Sequence, residues 1–581
     1  MAALNWRDWG LSAFEEAQRR NVPVLLAAFS PLSLKSERLS ATTFTDTRVV
    51  TFVEGNLVPV KVDALERPDI VVRYAADLPP FVAFLTPTGH LLTNAGSPSP
   101  EAMLLAIEKV CLYYKDHKDS IEAAVRERVI QVSAAKEGSN PITPGVVRRV
   151  EDAILALIDM DSGELATPIK KIYGDPVLFL LLRYARSEDL RFRDAALKVL
   201  HRWSSSALFD PLEGGFFSEA RKDDYSDLEF AKVCGSNADA IRAYTTALSV
   251  ASSDRREDLK NVVRLTCKWV VEHLLDERTG GFYVGLLPEP DYYLQGRKRT
   301  HTPRVLERIY TAPTAAMARA LLDAAIVLGD REMGRKALSA GELLWRECFD
   351  PEEGMAHKLE ALLSQRKFGF FADQVAMLDL LLRTYEIGGH PLHLQRAVSL
   401  AGLMETIYGD PDGGFYDRAH EGEEIGHLAF KKKSAIENGC AAALFYKLGT
   451  LTRSEHFKEV AAAALWRFTN HLEELGLHAS AAALACDIHL RGMIEVSIVG
   501  PRSDQDASRL RIAALQLFLP CVAIGSVDPE DESLLRIRKL EYEGRPVAYI
   551  FHGGEKFGPF ESENELKESI SEFVAGRRKE R

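Results

Sequence analysis

Short apolar runs and helix-spaced stretches alternate along the first 130 residues. Leu11 to Arg20 places its apolar residues at helical spacing. Val22 to Phe29 is a continuous apolar run, the pattern of a strand buried on both faces. Ser30-Pro31 predicts a helix start at that point, with Ser30 as N-cap and Pro31 at the first helical position. Leu57 to Val62 reads as a second strand. Phe81 to Leu85 and His90 to Thr93 read as a hairpin turned by Thr86-Pro87-Thr88-Gly89. Glu101 to Lys115 closes the unit as a helix. The order is α, β, α, β, α, β, β, α: two crossover units, then a hairpin.

That is the thioredoxin order, so residues 1–130 are expected to form a thioredoxin-like α/β domain. Glu137 to Thr143 is turn-rich and reads as a linker. From 140 to 490 the pattern changes to about twelve successive helical stretches with almost no strand signal. Some are amphipathic, with Phe371, Val375, Leu378, Leu382 and Tyr385 on one face. Others, such as Ala441 to Tyr446 and Ala481 to Ala485, are apolar all round and must be buried. Alternating buried and half-buried helices fit two concentric rings, an all-α (α/α)6 six-hairpin barrel. A turn recurs between them. Its copies are Asp210-Pro-Leu-Glu-Gly-Gly-Phe-Phe217, Asp276-Glu-Arg-Thr-Gly-Gly-Phe-Tyr283 and Asp410-Pro-Asp-Gly-Gly-Phe-Tyr416. Asp350 to Met355 and Met160 to Gly163 are weaker copies. Residues 493–581 return to strand, helix and strand (Ile494 to Val499, Ala507 to Phe518, Val547 to Phe551), a small α/β segment that could pack on either unit.

With 46% apolar and 27% charged residues, 581 residues can bury several cores. A net charge of −12 argues against a sequence-independent hold on nucleic acid. No secretory signal and no apolar stretch of about 18 residues is present, so no membrane partner and a cytoplasmic location are expected. The seven cysteines are scattered, with no Cys-x-x-Cys pair, and no metal-ligand spacing is visible. No cofactor is expected.

Several motifs, in order, resemble a known family. They are Trp6-x-x-Trp9-Gly10-x-x-Ala13-Phe14, Phe44-Thr45-Asp46, Lys61-Val-Asp-Ala-Leu-Glu-Arg-Pro-Asp-Ile70, and Phe84-Leu85-Thr86-Pro87-x-Gly89, with the Gly-Gly-Phe turns and Val496-x-Ile498-Val499-Gly500 further on. They are similar to the spermatogenesis-associated thioredoxin-like family, which joins a thioredoxin-like domain to a six-hairpin glycosidase-like barrel. The resemblance implies that fold for almost the whole chain. The family's C-H-W-C-H falls on Ser33-Leu34-Lys35-Ser36-Glu37, so both redox cysteines are serine here. A second cysteine pair that the family often carries near its C-terminus is absent from Phe551 to Pro559. In the barrel, the family's H-F-E-K-M-L-Y-D-N-A is Glu229 to Ala238, and T-S-W-N-G-L is Thr311 to Ala316. Asp373 matches its D-Y-A aspartate, and Asn438 lies near its S-G-N-S.

Thiol–disulfide exchange needs a thiolate, which Ser33 and Ser36 cannot supply, whereas a serine there still caps a helix. Ser33 as a nucleophile would need a histidine base, and none occurs before His90. Pro80 stands where thioredoxin-like folds carry a cis-proline, whose loop can pair with an extended peptide. Sugar chemistry would need two carboxylates at a set separation. Asp224, Asp227, Glu229, Asp373 and Glu437 are the candidates, and Asn237, Asn438, His301 and His357 are polar groups that could reach the barrel mouth. The reading that follows is a redox-inactive protein whose barrel binds a carbohydrate or peptide ligand; the alternative is a sugar hydrolase or epimerase.

Overall fold

The computed structural model describes residues 4–75, 79–134, 141–297, 302–419 and 424–577. The N-terminal domain runs α1 (Leu11–Arg20), β1 (Val24–Phe29), α2 (Leu34–Thr42), α3 (Thr47–Asn56), β2 (Val58–Asp63), α4 (Pro68–Tyr74), β3 (Phe81–Leu85), β4 (Leu91–Gly96) and α5 (Pro100–Ala134). The sheet order is β2-β1-β3-β4, with β1 parallel to β2 and antiparallel to β3. β1 is buried at all six positions, as its unbroken apolar run requires. The thioredoxin-like expectation holds, with one correction. Helix α2 starts three residues later than the Ser-Pro pair suggested. Ser30 and Pro31 form a turn, and Ser33 is the N-cap, accepting from the Ser36 amide at 3.4 Å. A lone Ser-Pro signal could not tell a turn from a cap when another serine follows three residues later. The expected linker lies, up to residue 140, outside the described residues.

Six helical hairpins follow. α6 (Pro144–Ala156) and α7 (Gly174–Ser187) form the first, and α8 (Leu190–Ser205) and α9 (Cys234–Ala247) the second. α10 (Ser253–His273) leads through the short α11 (Pro290–Leu294) to α12 (Thr311–Leu328). α13 (Arg331–Cys348) pairs with α14 (Phe371–Gly388), α15 (Pro391–Tyr408) with α16 (Ala435–Thr452), and α17 (Glu455–Trp466) with α18 (Ser480–Arg491). α7, α9, α12, α14, α16 and α18 pack in that order, and α18 returns to α7, so the inner ring closes. The other long helices lie outside it. Helix α12 is long and apolar enough to cross a membrane by length and composition, yet it is an inner-ring member and mostly buried.

The recurring turn closes the outer helix of five hairpins. Bridges join Ile158 to Leu165, Phe209 to Phe216, Leu275 to Phe282 and Gly409 to Phe415, and Phe349 pairs with Met355. Each turn hands the chain back toward the start of the next inner helix. In the copy that begins at Asp210, Gly214 has φ +85°, and a Cβ there would meet the Leu265 carbonyl at 2.3 Å, so only glycine fits.

The C-terminal segment is a second four-stranded sheet: β5 (Ile494–Val499), α19 (Gln505–Leu515), β6 (Val522–Val527), α20 (Glu532–Arg538), β7 (Val547–His552), β8 (Glu555–Phe560) and α21 (Glu563–Val574). Its order is β6-β5-β7-β8, with β5 parallel to β6 and antiparallel to β7. That is the strand order and direction of the N-terminal sheet. β6 and α19 pack on α14, β6 also packs on α16, and α21 packs on α7. The Arg538 guanidinium donates to the Leu451 carbonyl near the end of α16. The segment therefore closes the barrel at the C-terminal ends of its inner helices.

Candidate functional site

The thioredoxin-like domain lies across the opposite end, over the N-terminal ends of α9, α12, α14 and α16. Contacts are made in each case by the segment that leads into the helix. Before α9, Glu229 accepts from the Leu34 amide (3.0 Å) and the Ser33 hydroxyl (3.3 Å). Before α12, Arg308 pairs with Asp63 at 2.6 Å, and the Tyr310 hydroxyl donates to Glu66 at 2.8 Å. Before α14, His357 reaches the Leu65 carbonyl and Lys358 reaches Glu66. Before α16, Asp417 receives a bidentate pair from Arg73 (2.8 and 2.9 Å). Leu428 sits in the same apolar cluster as β1, and the His427 amide donates to the Tyr74 hydroxyl.

The two degenerate redox positions lie inside this interface. Ser33 and Ser36 are buried, and the Ser36 hydroxyl accepts from the Ser30 amide. The Glu229 carboxylate occupies the amide end of α2, where a helix favours an anion. Burial nevertheless pushes its pKa up, and Glu219 adds to that. The Pro79–Pro80 peptide is cis, and Pro80 is buried.

The other sequence candidates separate into distinct roles. Asn237 and Asn438, expected at a ligand, are fully buried and lock the recurring turn instead. The Asn237 side chain accepts from the Phe216 amide (2.7 Å) and donates to the Phe216 carbonyl (3.0 Å). Asn438 does the same to Phe415 at 2.7 and 2.9 Å, and Gln374 to Met355 at 2.8 and 2.9 Å. A buried backbone pair must find partners, and a carboxamide one turn into the next inner helix supplies both. Asp224 and Asp227 bind backbone amides of their own loop. His301 lies outside the described residues.

Asp373 accepts from the Ala312 amide (3.0 Å) at the start of α12 and faces His357 Nδ1 at 2.8 Å. Burial opposes a charge on His357, but Asp373 wins and raises its pKa. With a carbonyl at Nε2 and a carboxylate at Nδ1, the doubly protonated ring satisfies both contacts. Glu437 stands apart. Its Oε2 is buried with no hydrogen-bond partner. Burial, then Asp417 and Asp373, push its pKa up to about 8. Asp373 is thus one of the groups that act on Glu437, while Lys35 and Glu219 act on Glu229.

The inner ring encloses a polar lumen that sequence reading missed. Ala312, Ala316 and Arg319 share one face of α12, and Ala372, Ala376 and Asp379 one face of α14. All six are only half-buried, although they point away from the outer helices. Asp239 on α9 retains accessible surface while burial, reinforced by Asp175 on α7, pushes its carboxyl up to about 7. Burial raises Asp175 as well. Cys440, one turn beyond Glu437 on α16, feels Asp175, Arg242, Asp379 and Asp239 together. The deeper half of the lumen is filled by a continuous ionic chain. Arg242 and Arg319 meet Asp379 at 3.5 and 3.3 Å, and Arg319 also pairs with Asp323. Arg383 joins Asp323 to Glu386, and Lys447 holds Glu386 at 2.9 Å. Glu386 finally accepts from the Ile524 amide of the C-terminal sheet at 3.3 Å. The available signal was a charge inside an alanine-rich apolar helix, as at Arg319 and Asp323.

Asp175 on α7 acts on Asp239 on α9, while Glu437 on α16 lies among Asp417, Asp373, Arg73 and Lys432. Tyr173 and His478 stand at the rim beside α7 and α18, the two inner helices that the thioredoxin-like domain leaves uncovered. Such an arrangement can accept hydrogen bonds from a small polar ligand and exchange protons with it near neutral pH. Among the described residues, no group of three or more His, Cys, Asp or Glu is placed to hold a metal ion.

Residues 1–127 match the family model Thioredox_DsbH, described as a protein of unknown function, DUF255. Spermatogenesis-associated protein 20 of Rattus norvegicus is 21% identical over 306 residues, which are 48% of this chain and 38% of that one. The Homo sapiens protein of the same name is 22% identical over 307 residues, again 48% and 38% of the two chains. The chain thus spans well under half the length of the curated relatives it matches. Among solved structures, cellobiose 2-epimerase from Spirochaeta thermophila DSM 6192 superposes with a TM-score of 0.47 at 17% identity, covering 63% of this chain and 98% of that one. D-mannose isomerase gives 0.47 at 12% identity, covering 59% and 96%. The chain joins a thioredoxin-like domain that matches the Thioredox_DsbH family model to a closed (α/α)6 barrel, and it resembles the spermatogenesis-associated thioredoxin-like family in that combination.

Proposed function

We propose that this protein is a redox-inactive ligand-binding barrel, in which the thioredoxin-like domain serves as a fixed lid and the lumen binds a small carbohydrate. One observation carries the reading: Oε2 of Glu437, near the start of inner helix α16, is buried with no hydrogen-bond partner among the described residues. A buried carboxyl oxygen left without a partner is costly, and a ligand rich in hydroxyl groups supplies what it lacks. Serine at both redox positions, with Glu229 seated on Ser33 and Leu34, supports a lid that has no thiol chemistry. The seven free cysteines fit a reducing compartment and a cytoplasmic location.

A thermal-shift screen against mono- and oligosaccharides tests the reading, since a ligand that binds only the folded state raises the melting temperature. A shift that Asp239→Asn and Glu437→Gln both abolish is the expected result. A flat screen would transfer the binding role to a peptide or protein partner. A second reading, a sugar epimerase or hydrolase, is favoured by Asp239 and Glu437 alone, whose carboxyls are pushed to about 7 and about 8. Acids held near neutrality suit general acid–base work. Turnover of a sugar that binds, lost in Asp239→Asn while binding persists, would establish it.

A further inference from the structure

The barrel histidines His357 and His427 both touch the lid, and their contacts are of opposite kinds. We propose that His357 is a pH-sensitive latch: it holds the thioredoxin-like domain on the barrel while its ring carries two protons, and it loosens that domain when one is lost.

His357 Nδ1 stands 2.8 Å from Asp373 Oδ2 on α14, and its Nε2 stands 2.8 Å from the Leu65 carbonyl of the lid. Both neighbours are acceptors, so each ring nitrogen must donate, and only the imidazolium has two N–H groups. Asp373 is the matching anion, because both of its oxygens accept, Oδ1 from the Ala312 amide. Both side chains are buried. A neutral ring keeps one proton. Kept on Nδ1, it leaves the Nε2 lone pair facing the Leu65 carbonyl; kept on Nε2, it leaves a lone pair facing the Asp373 carboxylate. Either way two buried acceptors meet with no proton between them, which is costly.

The other groups around the ring hold their charge state as pH rises. Tyr310 and Phe370 wall the ring, at 5.1 and 4.6 Å between centroids, and burial pushes the Tyr310 phenol up. Glu66 of the lid adds a negative charge. Burial opposes that charge, but Lys358 and Tyr310 hold Glu66 below its ordinary value. Arg308 and Lys367 stand beyond it at 3.6 and 3.9 Å. Burial works against the Lys358 charge as well, but Glu360 and Glu66 raise its pKa. Elsewhere in the seam, Arg73 and Arg308 pair with Asp417 and Asp63 through guanidinium groups, which do not titrate. His427 is the counterpart of His357. Its Nε2 accepts from the Leu91 amide of the lid at 3.5 Å, and its Nδ1 faces the Arg73 carbonyl at 3.5 Å, so these contacts need the neutral ring. Acid therefore works against His427 and alkali against His357. Burial lowers the pKa of docked His357, and Asp373 and the Leu65 carbonyl more than reverse it. Its share of docking is complete below roughly 6.5 and is lost as pH rises through the docked value. The lid is fixed while both protons are present.

Two amides bonded across the seam report docking in the full chain. Leu34 donates to Glu229 and His427 donates to the Tyr74 hydroxyl. Their hydrogen-exchange protection factors should fall roughly tenfold or more between pH 6 and pH 9. His357→Gln should lower the protection of Leu34 at pH 6 and leave it level up to pH 9. Asp373→Asn, which removes the charge that holds the second proton, should bring the fall to a lower pH. His427→Gln and Glu437→Gln should both keep the fall at Leu34. Level protection in the wild type would overturn the latch, and so would a fall that His357→Gln leaves in place. A fall that disappears in His427→Gln or Glu437→Gln would assign the titration to that group and overturn it too. If His357→Gln fails to fold, Asp373→Asn decides, and a fall at unchanged pH would sink the proposal.

Discussion

Each end of the barrel is closed by a four-stranded sheet of the same order, yet the two are attached by different means. The N-terminal sheet has its own apolar clusters on both faces, with β1 residues divided between them. It meets the barrel through single polar contacts, Arg73 to Asp417, Glu66 to Lys358 and Glu229 to the start of α2, and through two small apolar patches, Leu428 in the β1 cluster and Leu32 with Ala231, Val284 and Tyr310. The C-terminal sheet is less independent: it keeps one small cluster of its own, Val499, Val527, Leu540, Val547 and Tyr549, and gives its other face to the barrel. Ile494, Val496, Ile498 and Ile524 belong to the same continuous core as the barrel helices. A shared core makes two units unfold together, whereas a polar interface lets them part. The same strand order thus serves as a lid at one end and as a foundation at the other.

The largest effect should fall at the foundation. Asp487 near the end of α18 takes Arg183 and Arg186 of α7, and Arg186 goes on to the carbonyls of Gly492 and Val574 in the C-terminal segment. Asp487→Ala leaves two buried guanidinium groups short of a partner, at a cost of about 3–5 kcal/mol. Denaturant unfolding should show barrel and C-terminal sheet melting together at a lower midpoint. A C-terminal sheet that melts alone would break the comparison.

At the lid the corresponding change is milder. Arg73→Ala removes the bidentate partner of Asp417 and should weaken docking by about 2–4 kcal/mol. The barrel's own midpoint should stay where it was. Differential scanning calorimetry should resolve an early transition for the lid; a single transition shifted as a whole would show that both sheets are integral.

The third test lies beneath the lid. Glu437 titrates above its ordinary value, so in the folded state it prefers its proton. Its stabilising preference is complete below the ordinary carboxylate pKa and is lost as pH rises through about 8. Stability should therefore fall between pH 5 and pH 9, and Glu437→Gln should flatten that fall, with a gain of about 1–3 kcal/mol at the alkaline end. Chemical denaturation at three pH values measures it, and parallel profiles for the two proteins would refute the assignment. With Glu437 kept, Arg73→Ala should carry the fall to a higher pH, because Arg73 is one of the cations that hold the Glu437 pKa down.

How much of this was legible depended on whether a residue's task was local. The β1 run, the Gly-Gly-Phe turns and the ring of helices follow from period and turn chemistry, and each stands where the pattern placed it. Asn237 and Asn438 were visible as polar residues opening buried helices, but their partners Phe216 and Phe415 are more than 20 residues earlier, and no spacing rule links them. Asp175 and Asp239 lie on different hairpins, so only closure of the ring brings them together. The likeness of the two sheets was hidden for another reason: β8 (Glu555–Phe560) is mostly exposed and carries little apolar signal.

The smallest effect tests what the lid has lost. Restoring the cysteines in Ser33→Cys/Ser36→Cys should cost only about 1 kcal/mol, mostly from the N-cap hydroxyl. It should not restore ordinary thiol reactivity. A cysteine opening a helix usually has a depressed pKa, because the helix N-terminus favours the thiolate. Here that position already faces the Glu229 carboxylate, bonded to the Leu34 amide at 3.0 Å. A thiolate introduced by Ser33→Cys would be buried against a second negative charge, and both effects raise its pKa. Alkylation followed against pH should place that introduced thiol above the ordinary value of roughly 8.5. Adding Glu229→Gln should bring it down and speed the reaction at neutral pH. If the double cysteine variant reacts rapidly without that third change, the barrel does not suppress the redox end of the lid, and the serines are the only barrier to its chemistry. If the third change is needed, the barrel's own carboxylate keeps that end of the lid closed to thiol chemistry.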